Sequence, residues 1–190
     1  METNNKKIKI FIDQCTWTWI IYSYYQELFD SGVNTLKLFE KCSHQFFYDL
    51  EILLSEYIII RMCCLTDPAT SGPQNNPTEN LTINHLLEKI LWLPEVQSQL
   101  YPEIDRLNEI VRPLRKARNK IIAHADLKTS FNNTLLGAMP KEDYEEFFNI
   151  LEKAVDIMHQ HLIGDPHSIK VAMADEPAHQ LIKKLKNIKD

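Results

Sequence analysis

Apolar residues recur three and four positions apart over most of this chain, while strict alternation is rare, so the pattern predicts helices almost throughout. Residues 7–29, "KIKIFIDQCTWTWIIYSYYQELF", hold enough β-branched and aromatic side chains to suggest a strand, but the length of the run favours a helix. "SGVN" at 31–34 predicts a stop and a restart, with Gly32 closing one helix and Asn34 capping the next. That next helix is expected to be long. Its predicted buried stripe is Phe39, Cys42, Phe46, Leu50, Leu53, Tyr57, Ile60 and Cys64.

"TDPATSGPQNNPTEN", 66–80, predicts the one long loop, followed by a short helix near 82–92 capped by Asn80 or Thr82. Residues 95–127 read as helix with prolines at 102 and 113. Both prolines fall opposite the apolar stripe Ile104, Leu107, Val111 and Leu114, so any bend would wrap the helix around the core. A polar link leads to a helix over 141–162 that buries Tyr144, Phe147, Phe148, Leu151, Val155, Met158 and Leu162. The chain ends in a short basic amphipathic helix after Pro177, with either the bundle or a partner to pack on. No strand pair with a turn signal stands out. The expected fold is all-α, four to five main helices plus short ones, with residues 1–165 as the bundle and 166–190 as a C-terminal helical tail.

At 190 residues and 44% apolar content the chain can bury a full core. Its four glycines interrupt none of the periodic segments, as a helical fold requires. The four cysteines (15, 42, 63, 64) lie in apolar runs without CxxC spacing, which suits reduced packing thiols rather than a disulfide or zinc framework. No signal-peptide core is visible, and the most apolar run, Phe46–Cys64, carries Asp49, Glu51, Glu56 and Arg61. That is far from the roughly 18 uncharged residues a spanning helix needs, so a soluble cytoplasmic protein with no membrane association is expected. The pair His159 and His161 sits ~200° apart on a helix and cannot share a metal, so both read as surface residues. His44, His85, His167 and His179 show no partner pattern, and no phosphate loop, HExxH or nucleophile elbow occurs. Neither a metal nor a cofactor is expected.

A net charge of −5 argues against a generally nucleic-acid-coating surface, yet one stretch inverts that balance. Between Arg106 and Lys128 stand seven basic residues (106, 112, 115, 116, 118, 120, 128) against Glu109 and Asp126. A solvated helix face can produce such a run. The helical wheel argues otherwise for one of them: Ile104, Leu107, Val111, Leu114, Ile122 and Ala125 all lie within ~40° of Arg118, so this arginine projects from the apolar stripe. A guanidinium there needs a buried ion pair, a ligand or a second chain, and Asp126 or Asp49 could supply the pair. His124 lies ~240° further round, so Arg118 and His124 meet only if the helix is distorted or if two copies face each other across a twofold axis. Lys120, one turn before His124, should favour the neutral imidazole, the form a general base needs.

"RNKIIAH", Arg118–His124, resembles the signature of the HEPN superfamily: an arginine, a polar residue that is often asparagine, then a histidine a few residues on. "CLTDPATSGPQNNPTENLTINHLL" before it is similar to the helix, Asp-Pro loop and short helix of the AbiU-type abortive-infection branch. The resemblance covers roughly 40–160 and implies a helical bundle that dimerises with its Arg/His motifs facing each other, commonly a metal-independent endoribonuclease. On that reading Arg118 and His124 are catalytic and Asn119 supports them. Their charged neighbours Lys120 and Asp126 are expected to support the pair as well, and Arg112, Arg115 and Lys116 to take RNA phosphates. Cleaving RNA by its own 2′-hydroxyl needs a base, an acid and a cation, which histidine and arginine can supply. The expected partners are a second copy, an RNA substrate, and an antitoxin or second defence protein. A non-catalytic module that binds RNA, a nucleotide or a protein is the alternative, and a purely structural bundle is a third.

Overall fold

The computed structural model describes residues 2–119 and 139–187. Among these, helices α1 (Glu2–Tyr25), α2 (Val33–Thr66), α3 (Ile83–Lys89), α4 (Pro94–Ala117), α5 (Lys141–Leu162) and α6 (Glu176–Lys186) make an all-α fold. A π-helical turn, Gln26–Asp30, follows α1 directly. Region 120–138, which includes the end of the expected 95–127 helix and the polar link, lies outside the described residues.

Periodicity served best in α4 and α5. Ile104, Leu107, Val111 and Leu114 are buried along α4, and Pro102 and Pro113 lie exposed on its other side. From α5, Phe147, Phe148, Leu151, Val155 and Met158 meet them, with Tyr144 and Leu162 half-buried at the rim. α1 contributes Ile8, Phe11 and Cys15, and α2 contributes Met62 and Leu65. The aromatic helix expected at the N-terminus is therefore one wall of the core. Arg106 fastens α4 to α5 through a two-pronged pair with Glu146, Nε–Oε1 2.7 Å and Nη2–Oε2 2.8 Å.

Two caps differ in how they meet expectation. Gly32, not Asn34, precedes α2, and its φ of 117° lies where a side chain is strained, so only glycine turns the chain easily here. Thr82 caps α3 as anticipated, its hydroxyl accepting from the His85 backbone N–H at 3.1 Å. Thr82→Ala is expected to lower the unfolding free energy by about 1 kcal/mol, measured by urea titration.

The long loop is not wholly irregular. Thr70–Ser71 pairs antiparallel with Thr78–Glu79, a ribbon too short to announce itself by alternation. Asn80 closes it, donating from Nδ2 to the Pro68 carbonyl at 2.9 Å.

The largest correction concerns α2. Its helical path breaks at Ser43 (φ −172°, ψ 86°), and Phe39 and Phe47 stack across the break with centroids 3.8 Å apart. They form a second, smaller core with Leu28 and Phe29 of the π turn and Ala178 and Ile182 of α6. Cys42, Phe46 and Leu53 of the predicted stripe are exposed, while Phe47, Ile58, Ile59, Met62 and Leu65 are buried instead. Cys42 is thus no core thiol. His159 also departs from expectation: it is buried, with Nδ1 2.8 Å from the Asp165 carbonyl. His85 is buried too, its Nε2 3.1 Å from Lys7 Nζ.

Candidate functional site

Pro68 disfavours a helical conformation at the residue before it, so α2 must stop at Asp67, which is extended (φ −60°, ψ 160°). The last carbonyls of a helix have no partner of their own. Here Asn84 of α3 donates from Nδ2 to Thr66 O (2.7 Å) and Asp67 O (3.2 Å), and Arg115 of α4 donates from Nη2 to Thr66 O. The same Arg115 nitrogen reaches Asn108 Oδ1 at 2.9 Å, and Asn108 and Asn84 exchange amide hydrogen bonds. Three helices are tied together at one polar node.

Asp67 is the anion of that node. Its Oδ2 accepts from Arg118 Nη1 at 2.6 Å, and its Oδ1 lies 3.7 Å from Arg115 Nε. Arg118 stands at the end of α4, where its backbone N–H donates to the Leu114 and Arg115 carbonyls. Its side chain is one-fifth exposed. Burial disfavours the charge of this guanidinium, but the hydrogen bond and charge of Asp67 outweigh that, so its pKa is raised and it is held protonated. Asn119 fixes the plane of the fork, accepting from Arg118 Nε at 3.0 Å. The wheel therefore placed Arg118 correctly off the solvent face but missed its partner. Asp49 is exposed on α2 and accepts from Gln45, whereas Asp126 lies outside the described residues.

The expected cationic patch divides when its members are located. Arg106 is held by Glu146 and Glu109, and Arg115 and Arg118 share Asp67. Arg112 and Lys116 are exposed and form no ion pair among the described residues. Lys120, His124, Asp126 and Lys128 lie outside those residues, so the distance from Arg118 to His124 is not part of the described geometry. Cys63 is buried beside the node. Burial pushes its thiol up to about 11 although Arg118 and Arg115 pull the other way, so it is packing material rather than a nucleophile.

Sequence reasoning missed Asp67, Asn84 and Asn108. Only the Asp-Pro pair carried a local signal, because a proline that ends a helix forces its predecessor to the rim. Nothing local links Asn84 to Asn108, 24 residues away. Among the described residues no cluster of three or more His, Cys, Asp or Glu is placed to hold a metal ion, and no helix is long and apolar enough to cross a membrane. Chemically, the node offers an oriented, permanently charged fork at a helix end, next to two exposed cations.

The family model described as AbiU2, of the HEPN class, matches residues 9–186. The chain is also 28% identical over 137 residues to a DNA gyrase component of Rickettsia typhi, 68% of this chain but 17% of that much longer protein. No solved structure matches.

Proposed function

The chain belongs to the AbiU2 family of HEPN proteins, and from that premise we propose that it is a cytoplasmic, metal-independent endoribonuclease of phage defence, used as a toxin or abortive-infection effector. The observation that carries the reading is Arg118, held charged and oriented by Asp67 and Asn119 at the end of α4. A planar fork in a fixed position suits the extra negative charge that a phosphate gathers as the 2′-oxygen attacks. In this reading His124 takes the 2′-hydroxyl proton and returns one to the leaving 5′-oxygen, with Lys120 keeping the imidazole neutral and Asp126 supporting it. Arg112 and Lys116, exposed on the preceding turns, hold flanking phosphates. Two copies bring their Arg118 and His124 together, and an antitoxin or second defence protein restrains the activity.

The test is cleavage of single-stranded RNA in EDTA by wild type, Arg118→Ala and His124→Ala. Wild type is expected to cut, and both variants to be strongly impaired. Equal activity in all three defeats the proposal.

One observation favours a second reading, a non-catalytic module that binds RNA, a nucleotide or a protein. Asp67 neutralises the arginine that would meet the phosphate, and a fork so engaged serves adhesion of helices better than turnover. This module predicts no cleavage, but an affinity for RNA that falls steeply with salt and weakens in Arg112→Ala and Lys116→Ala, measured by fluorescence anisotropy between about 50 and 200 mM salt.

A further inference from the structure

α2 carries apolar residues on two faces; its own fold buries one of them fully and the other only in part. Phe47, Leu54, Ile58, Met62 and Leu65 turn toward the bundle, and the opposite stripe begins with Phe46 and Leu53, 60% and 62% exposed. Leu50, Tyr57, Ile60 and Cys64 continue that stripe, half-buried, with Leu50 and Tyr57 resting one flank on the two cores; the alternating steps of three and four are the spacing of a helix built to meet another helix. Trp17 of α1 widens the patch: it is 48% exposed, and its indole N–H donates to the Tyr57 hydroxyl at 2.9 Å. Scattered surface leucines need no explanation, but a contiguous aromatic and aliphatic strip over about five turns does.

We propose that this face of α2 is covered by the same face of a second copy, the two helices running parallel and in register about a twofold axis. Charge selects both the occupant and the direction. With Phe46, Leu53 and Ile60 at one core position and Leu50, Tyr57 and Cys64 at the other, the flanking positions on one side are Asp49, Glu56 and Cys63 and on the other Phe47, Leu54 and Arg61, of which Asp49, Glu56 and Arg61 are charged. In a parallel pair, each Glu56 faces the second copy's residue five positions on, which is Arg61. Within its own chain Glu56 has no ion pair among the described residues, and Arg61 Nε is buried there without a hydrogen-bond partner. An antiparallel pair of the same stripes sets Asp49 of one copy against Glu56 of the other, like charge on like, and is disfavoured. A second copy thus offers Glu56 a cation and the half-buried Arg61 guanidinium an anion, in one orientation only.

The arrangement rests on the dimer in the proposed function, not on its RNA chemistry, and adds to it which surface pairs. Because the helices run parallel, the Cys64 ends lie side by side, and these adjoin the Asp67–Arg118 node. Both candidate sites then sit at the same end of the dimer.

The test is the solution mass of the full-length chain by analytical ultracentrifugation across the micromolar range. Wild type is expected at twice the 22.3 kDa monomer. Leu53→Arg places two charges on the axis and should raise the dissociation constant about a hundredfold or more with an unchanged far-ultraviolet spectrum, whereas Leu91→Arg, at an exposed leucine elsewhere, should leave the mass alone. Glu56→Lys should weaken the dimer, and Glu56→Lys with Arg61→Glu should restore it. In a Cys42→Ser, Cys64→Ser background, Leu53→Cys should cross-link on oxidation. A monomeric wild type overturns the proposal, as does a Leu53→Arg dimer. A dimer that neither cross-links nor responds to Glu56→Lys overturns the parallel register. A dimeric wild type that leaves RNA intact counts against the nuclease alone, and a monomer that cleaves RNA counts against this interface and against the two-copy site, but not against Arg118 and His124 as the cleaving residues.

Discussion

Replacing His124 by alanine is expected to slow RNA cleavage by about 10²–10⁴-fold, the usual contribution of one positioned proton-transfer group. Replacing Arg118 by alanine should cost a similar factor by a different route, because a charge-stabilising donor aimed at the transition state is worth roughly 10²–10³-fold. The two variants separate in their side effects. Arg118 is tied to Asp67 at 2.6 Å, so its removal also loosens the node that joins α2 to α4. Its rate must therefore be read at a temperature where circular dichroism shows the variant fully folded. Arg118→Lys sharpens the test further: lysine keeps the charge near Asp67 but not the planar fork, so stability should return while cleavage remains low. The measurement is the initial rate on end-labelled RNA in EDTA with enzyme in excess. If His124→Ala and Arg118→Lys both cut within about threefold of wild type, neither residue takes part in chemistry.

What the sequence revealed of this fold depended on how regular each helix is. α4 and α5 each keep one apolar face from end to end, and their buried residues could be counted off at about 3.6 per turn. α2 defeated the same procedure for two reasons. The break at Ser43 shifts the register, so Phe39 and Phe47, eight positions apart, end up stacked. The helix is also apolar on two sides, and periodicity finds an apolar face without saying what meets it. The stripe it picked out, Phe46 to Cys64, is the face only partly covered in the single chain, with Phe46 and Leu53 exposed and the rest half-buried. At the candidate site, the wheel gave the position of Arg118 because burial of a helical residue is a local geometric matter. It could not give Asp67, because the pair spans 51 residues and depends on where Pro68 ends α2. His159 was misjudged likewise: its partner is the backbone of Asp165, and a carbonyl has no signature in sequence.

Asp67→Ala is expected to lower the unfolding free energy by about 2–3 kcal/mol. Removing one member of a fully buried pair costs roughly 3–5 kcal/mol because the surviving charge is left without compensation. Here the loss is tempered, since Asp67 is 24% exposed and Arg118 20%, so water can reach both guanidiniums in part. It is still large for one side chain, because two arginines lose the same anion. Arg115 keeps Thr66 O and Asn108, whereas Arg118 keeps only Asn119 among the described residues. Asp67→Asn retains one acceptor of the same shape and should lose about half as much. Urea unfolding at low and high salt measures this, with the deficit shrinking as salt screens the unpaired cations. The variant also separates the two roles open to Arg118. An arginine freed from Asp67 should make the protein bind inorganic polyphosphate more tightly than wild type does, and polyphosphate should restore part of the lost stability. If Asp67→Ala costs less than about 0.5 kcal/mol and gains no affinity, Asp67 does not hold the two arginines in solution, and the node cannot be what orients Arg118.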